Sequence, residues 1–256
     1  MVRLLILWCC IAPIARARDL HFRRMDRTSA ASSFQFVETA NNDFAKILYL
    51  CTVKIQTMTK EHFIKILEAT NRTGIDGVIR QLEESGFFEA PASTRFHLSC
   101  KGGLLEHSMN VYQAALLLRE QAIKARPELE EQIPMDSVAI CTLLHDTCKA
   151  DIYKEGILSR KNADGYWEKY LGYQVDYNAG LPLGHGEKSV ILLLSWGLKL
   201  KPEEMLAIRW HMTAWDLPMQ SPEHKESLNA AKAKTPLVSL VQLADSFATG
   251  LLERLI

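Results

Sequence analysis

The chain has 256 residues, enough for one substantial domain with an extension, and 48% of them are hydrophobic, as in an ordinary globular protein. Thirty basic residues cancel thirty acidic ones, which excludes a global positive field for duplex nucleic acid and leaves phosphate recognition to local side chains. Six cysteines, Cys9, Cys10, Cys51, Cys100, Cys141 and Cys148, lack the spacing of a disulfide framework and include no C-x-x-C pair, so they read as free thiols and not as a zinc ribbon.

Residues 1–25 carry Arg3, an apolar run from Leu4 to Ala15 and the small-residue site Ala15-Arg16-Ala17, the pattern of a secretory signal. The run is too short to span a bilayer, which takes ~20 residues. The competing reading starts the protein at Met25; we favour it, with a cytoplasmic location, because the remainder resembles an enzyme with unpaired thiols. Segment 26–90 is expected to be a helical N-terminal extension. Apolar residues recur at helical spacing over 34–50 (Phe34, Val37, Phe44, Ile47, Leu48) and 60–70 (Phe63, Ile64, Ile66, Leu67). Thr73-Gly74-Ile75-Asp76 predicts a capped helix through Leu82, with Gly86 as its stop. Alternating strand patterns are nearly absent, the best exception being Val53–Thr57, so the expected fold class is all-α.

Residues 91–256 form the expected main domain. Gly102-Gly103 precedes a predicted helix over Leu104–Ala125, and Pro134 with Asp136 opens another through Lys149. The stretch from Asp151 to Leu183, rich in tyrosine and containing Trp167, is long for a connection. It reads as a lid or binding segment, as unrecognised structure, or as an insertion without a role. An apolar helix follows from Glu187 to Trp196. Lys201-Pro202-Glu203-Glu204 starts the next, which carries Arg209 and His211, and Thr235-Pro236 caps a last helix running towards Ile256. No repeat, low-complexity tract or membrane span is evident.

Two carboxylates on these helices need explaining. Asp245 sits beside the apolar stripe of Val241, Ala244 and Ala248, and Asp146 follows the apolar run Val138–Leu144. A buried ionised carboxylate is too costly without a partner, so each requires a basic side chain or a metal ion. His97, His107, His145, His185 and His211 lie in the same half of the chain. Singly, such histidines are usually structural. Together with Asp146 and Asp245 they offer the nitrogen and oxygen donors that suit Mn²⁺, Fe²⁺, Ni²⁺ or Zn²⁺.

The order GGLLEH (His107), LLHDTCK (His145, Asp146, Lys149), GHGEKS (His185), IRWHM (His211) and LADSFAT (Asp245) resembles the HD-domain superfamily of metal-dependent phosphohydrolases, over roughly residues 95–250. The resemblance is closest to the branch with extra histidines, whose members hold two metal ions. It implies an HD-domain-like helical bundle with His107, His145, Asp146 and Asp245 on a first divalent ion. His185 and His211 would serve a second, with Asp146 as bridge; the ions could be Mn, Fe, Ni, Zn or Mg. The implied reaction is hydrolysis of a phosphomonoester or phosphodiester of a nucleotide or similar small molecule by a metal-activated water. Asp146 and Lys149 are then the catalytic residues. Lys149 also contacts the substrate phosphate, as in HDxxK members, and His97 matches the FHLSCKGGLLEH lead-in of the exoribonuclease-like branch. Arg209 and Lys188 are weaker phosphate candidates.

The chain lacks the Gly-Tyr-Pro tripeptide of cyclic-di-GMP phosphodiesterases, shows no (p)ppGpp-hydrolase signature and has no OB-fold pattern at its N-terminus, which leaves a small phosphorylated substrate as the expected partner. Neither nucleic acid nor membrane is expected, and oligomeric state is not encoded in these patterns. Two rival readings are a di-iron oxygenase built on the same ligands and a non-catalytic regulatory module.

Overall fold

The structure, a computed structural model, describes residues 59–176, 178–213 and 221–253. The expected helix over 34–50, the strand candidate Val53–Thr57 and the signal-like segment lie outside the described residues. The described chain is mostly helical. In order it forms α1 (Lys60–Ala69), α2 (Ile75–Glu84), α3 (Gly103–Ala125), α4 (Leu129–Gln132) and α5 (Met135–Leu144). A 3-10 turn (Thr147–Ala150), β1 (Tyr153–Lys161) and β2 (Trp167–Val175) follow. Then come α6 (His185–Ser195), α7 (Pro202–Trp210), α8 (Pro222–Lys234), α9 (Pro236–Phe247) and a π-helical turn (Ala248–Leu252).

Local chemistry accounts for several helix ends. Thr59 caps α1 by accepting from His62 N–H at 3.2 Å, and Thr235 caps α9 by accepting from Leu237 N–H at 3.2 Å. Pro202 and Pro236 occupy first-turn positions where no N–H is needed. α2 opens at Gly74 without a side-chain cap, and beyond it Gly86, at φ +77°, takes the left-handed conformation that ends a helix.

Three expectations are corrected. The all-α assignment misses an antiparallel hairpin: β1 pairs with β2 from Tyr153↔Val175 to Lys161↔Trp167, within the stretch expected as a loop. Its turn carries the Asp164-Gly165 signal, with Gly165 at φ +85° and Asn162 Oδ1 accepting from the N–H groups of Asp164 and Tyr166. The pattern escaped because Ile157 and Leu171, cross-strand partners, are both more than two-thirds exposed, so no buried face marks the strands.

The second correction concerns α5, which stops at Leu144 instead of running through Lys149; Asp146 leaves helical geometry at φ −103°, ψ +19° before the 3-10 turn begins. The third concerns the last helix, whose α-helical part ends at Phe247 and gives way to the wider π turn. α8 was not foreseen, because Leu228 is its one large apolar residue and it buries only Leu228 and Ala231.

One apolar core joins the helices. Phe63 and Leu67 of α1 and Val78 and Leu82 of α2 share it with Leu104 of α3, Ile140 and Leu143 of α5, Ile208 of α7 and Val238 and Val241 of α9. Phe63, Phe87 and Phe88 meet edge-on or tilted at centroid distances of 5.4–5.5 Å. Beside this core the fully buried Glu204 of α7 accepts from Arg72 at 2.6 and 2.8 Å, from Ser137 Oγ at 2.6 Å and from Lys201 N–H at 2.8 Å. The Arg72 side chain thereby ties the α1–α2 connection to α5 and α7. Among the described residues no single helix is long and apolar enough to cross a membrane.

Candidate metal centre

The helix ends converge on Asp146. α3 presents His107 from its first turns, α5 terminates at His145, α6 begins at His185, α7 terminates at His211, and α9 presents Asp245 near its end. His107, His145, Asp146 and His211 are buried, while His185 and Asp245 keep part of their side chains exposed. Adjacent residues of a continuous α-helix project about 100° apart. Because α5 breaks after Leu144, the side chains of His145 and Asp146 turn into one site, with His145 Nε2 3.3 Å from Asp146 Oδ2.

Asp146 divides its carboxylate between two groups. Its Oδ2 lies 3.3 Å from both His107 Nε2 and His145 Nε2, and Asp245 Oδ1 lies 3.5 Å from His107 Nε2. Its Oδ1 lies 2.5 Å from His185 Nε2 and 3.4 Å from His211 Nε2. Donors bound about 2.0–2.2 Å from one ion sit about 3.0–3.5 Å from each other. Most of the observed separations are edges of that size. Four groupings among the described residues could hold a metal ion: His107/His145/Asp146, fully buried, and His145/His211/Asp245, Asp146/His185/His211 and His97/His107/Glu253, each with one partly exposed member.

Hydrogen bonding at the far side of each ring decides which nitrogen faces the centre. His145 Nδ1 lies 2.8 Å from Thr142 O, and His211 Nδ1 lies 2.7 Å from Ile208 O. A carbonyl oxygen only accepts, so both Nδ1 atoms carry the proton and a neutral ring directs the Nε2 lone pair inward. His107 Nδ1 faces the carboxylate of Glu253 at 3.0 and 3.1 Å, with the same consequence. The Nε2 atoms of His107 and His145 then approach to 3.2 Å, both turned towards the centre. That contact is repulsive unless a proton or a cation lies between them. His211 Nε2 is buried with no hydrogen-bond partner. An orphaned imidazole nitrogen beside two ring nitrogens that turn the same way fits a metal cation, so these buried groups could hold one.

Charges in the site respond as a cation-binding cluster should. Asp146 is buried, which would raise its carboxyl, but Lys149 and the surrounding histidines hold it well below the carboxylate range. Burial opposes ionisation of Asp245 too, and His107, His145 and His211 outweigh it. Burial pulls His107 down, yet the carboxylates of Asp146 and Glu253 win and hold it at about 9. His145 and His185 are lowered, chiefly by burial.

The outlying candidates divide. Lys149 is buried with its Nζ 2.6 Å from Asp146 Oδ2, so it belongs to the cluster. The His97 ring lies 5.0 Å from that of His107, tilted by 47°, and its Nε2 is buried without a hydrogen bond. Burial, with His107 and Lys149 nearby, pushes it down to about 4 and keeps it neutral. Arg209 and Lys188 are engaged outside the centre, Arg209 with Glu187 at 2.5 Å and Lys188 with Asp151 at 2.7 Å. Sequence reasoning missed Glu253 and Asn110, which contact each other at 3.0 Å behind His107. It also missed Cys148, whose Sγ lies 3.6 Å from His185 Nδ1. Only the position of Asn110, three residues after His107 on one helix face, was readable beforehand.

Comparison of the chain with protein-family models, curated proteins and solved structures finds no match in any of the three.

Proposed function

We propose that the chain is a metal-dependent phosphohydrolase with an HD-domain-like helical bundle, acting on a phosphomonoester or phosphodiester of a nucleotide or similar small molecule. The observation that carries this reading is the divided carboxylate of Asp146, one oxygen towards His107 and His145, the other towards His185 and His211. His107, His145, Asp146 and Asp245 would hold one divalent ion, and Asp146, His185 and His211 a second. Such ions supply Lewis acidity towards a phosphoryl oxygen and lower the pKa of water.

The residues of the chain do the remaining work. The Nδ1–H bonds of His107, His145 and His211 keep three Nε2 atoms aimed inward, so the site needs little rearrangement to bind an ion. Lys149 neutralises Asp146 in the absence of other cations. When that carboxylate is otherwise engaged, its ammonium is within reach to offset charge developing on phosphoryl oxygens. His97, neutral and without a hydrogen bond at its Nε2, which lies 3.9 Å from Glu253 Oε2, can offer or accept one hydrogen bond at the edge of the site. Asp245 and His185 retain the exposure through which a small substrate would enter.

The test is elemental analysis of the purified protein, combined with nucleotides and phosphodiesters assayed with added Mn²⁺, Ni²⁺ or Mg²⁺ and with chelator. The proposal expects phosphate or nucleoside release that requires metal and disappears in Asp146→Ala. Bound iron with an air-dependent oxidation and no hydrolysis under any metal would replace it with the oxygenase reading.

A further inference from the structure

We infer that Glu253 is a positioning residue of the metal centre, acting through His107; this inference rests on the metal reading above. Glu253 lies at the end of the π turn, where its N–H closes onto Ala248 O at 3.0 Å. Its carboxylate is buried and reaches back to α3, where it contacts His107 Nδ1 at 3.0 and 3.1 Å and accepts from Asn110 Nδ2 at 3.0 Å. His107 and Asn110 stand three residues apart on one helix face, so together they grip a single carboxylate.

This support differs from that of the other inward-facing rings. His145 and His211 rest on backbone carbonyls, which fix the tautomer but carry no charge. Glu253 fixes the tautomer of His107 and adds a negative charge behind the ring, which makes Nε2 a stronger donor to a cation. A buried carboxylate is costly to maintain, and its orientation onto the back of a ligand ring gives it a use that packing alone does not. Asp245 and Glu253 flank the same π turn, so one short segment supplies both a candidate ligand and the support of another. π turns recur at functional sites because they redirect side chains from a helix without ending it.

The experiment titrates chelator-treated protein with Co²⁺ and records affinity and the visible absorption spectrum. It compares the wild type with Glu253→Ala, Glu253→Gln and His107→Ala, with circular dichroism as the check on folding. Glu253→Ala should bind Co²⁺ roughly 10- to 100-fold more weakly with an altered visible band. Glu253→Gln, which keeps the shape and an acceptor oxygen, should fall between that variant and the wild type. Wild-type affinity and spectrum in folded Glu253→Ala overturns the inference, and if that variant does not fold, the same result in Glu253→Gln does so. His107→Ala separates the two levels. If it too binds as the wild type does, the metal reading has failed; if it alone loses affinity, only the role of Glu253 has.

Discussion

Asp146 Oδ1 lies 2.5 Å from His185 Nε2, while the other oxygen of the same carboxylate is the one that faces His107 and His145. A single side chain therefore belongs to both halves of the site. Removing it should abolish binding in both, whereas removing His185 should weaken only one. We expect Asp146→Ala to retain no tightly bound metal and His185→Ala to retain about half of the wild-type content, as read by elemental analysis after gel filtration. Equal losses in the two variants would argue against two separable positions.

The contact between Lys149 and Asp146 at 2.6 Å makes a second prediction. In chelator-treated protein, Lys149→Met leaves a buried carboxylate without its nearest cation, at a cost of about 1–3 kcal/mol or more. Added metal supplies the missing charge. Urea denaturation should show the variant less stable than the wild type without metal and the gap narrowed with it, while kcat falls. A stability gap unaffected by metal would place Lys149 outside the centre.

The raised His107 sets the pH dependence. Burial favours the neutral ring, but Asp146 and Glu253 hold the group at about 9, above its ordinary 6.5. A group raised on folding adds stability that is complete below pH 6.5 and disappears as pH climbs through about 9. His211, also raised, acts in the same direction. The melting temperature of chelator-treated protein should accordingly fall between pH 6.5 and 9. Metal replaces the proton, so its affinity should rise over the same interval. A flat or rising melting temperature without metal would contradict the assigned charge state.

Gly186 follows His185 on α6, and a Cβ at this position would collide with the backbone carbonyl of Arg209 on α7. These two helices carry His185 and His211. Gly186→Ala must push them apart, so we expect destabilisation of about 1–3 kcal/mol together with metal loss resembling that of His185→Ala. A variant that is destabilised but keeps full metal content would show that the helix spacing does not control the site.

Arg72 offers a control outside the candidate centre. It holds the buried Glu204 through two hydrogen bonds, at 2.6 and 2.8 Å. Arg72→Met leaves that carboxylate with the neutral donors Ser137 Oγ and Lys201 N–H, and loss of the charged partner of a buried pair costs about 3–5 kcal/mol. Chemical denaturation should show this loss, while metal content per folded molecule stays at the wild-type value.

What the residue order determined by itself was local: the cap at Thr235 and the helix start at Pro202, the apolar periodicity of α1 and α9, the continuous apolar run of α5, the helix stop at Gly86, and the set of histidines and aspartates that apolar surroundings do not tolerate without a partner. These follow from backbone hydrogen bonding and burial within a few turns of helix. The tertiary structure decided the rest. It broke α5 at His145 so that two adjacent side chains serve one site, divided Asp146 between two pairs of rings, paired Arg209 and Lys188 with carboxylates outside the centre, and brought Glu253 across 146 residues to the back of His107. The hairpin stayed hidden because neither of its faces is buried enough to leave a period in the sequence. A ring nitrogen's partner, unlike a helix cap, is set by which distant element packs behind it, and no local pattern records that choice.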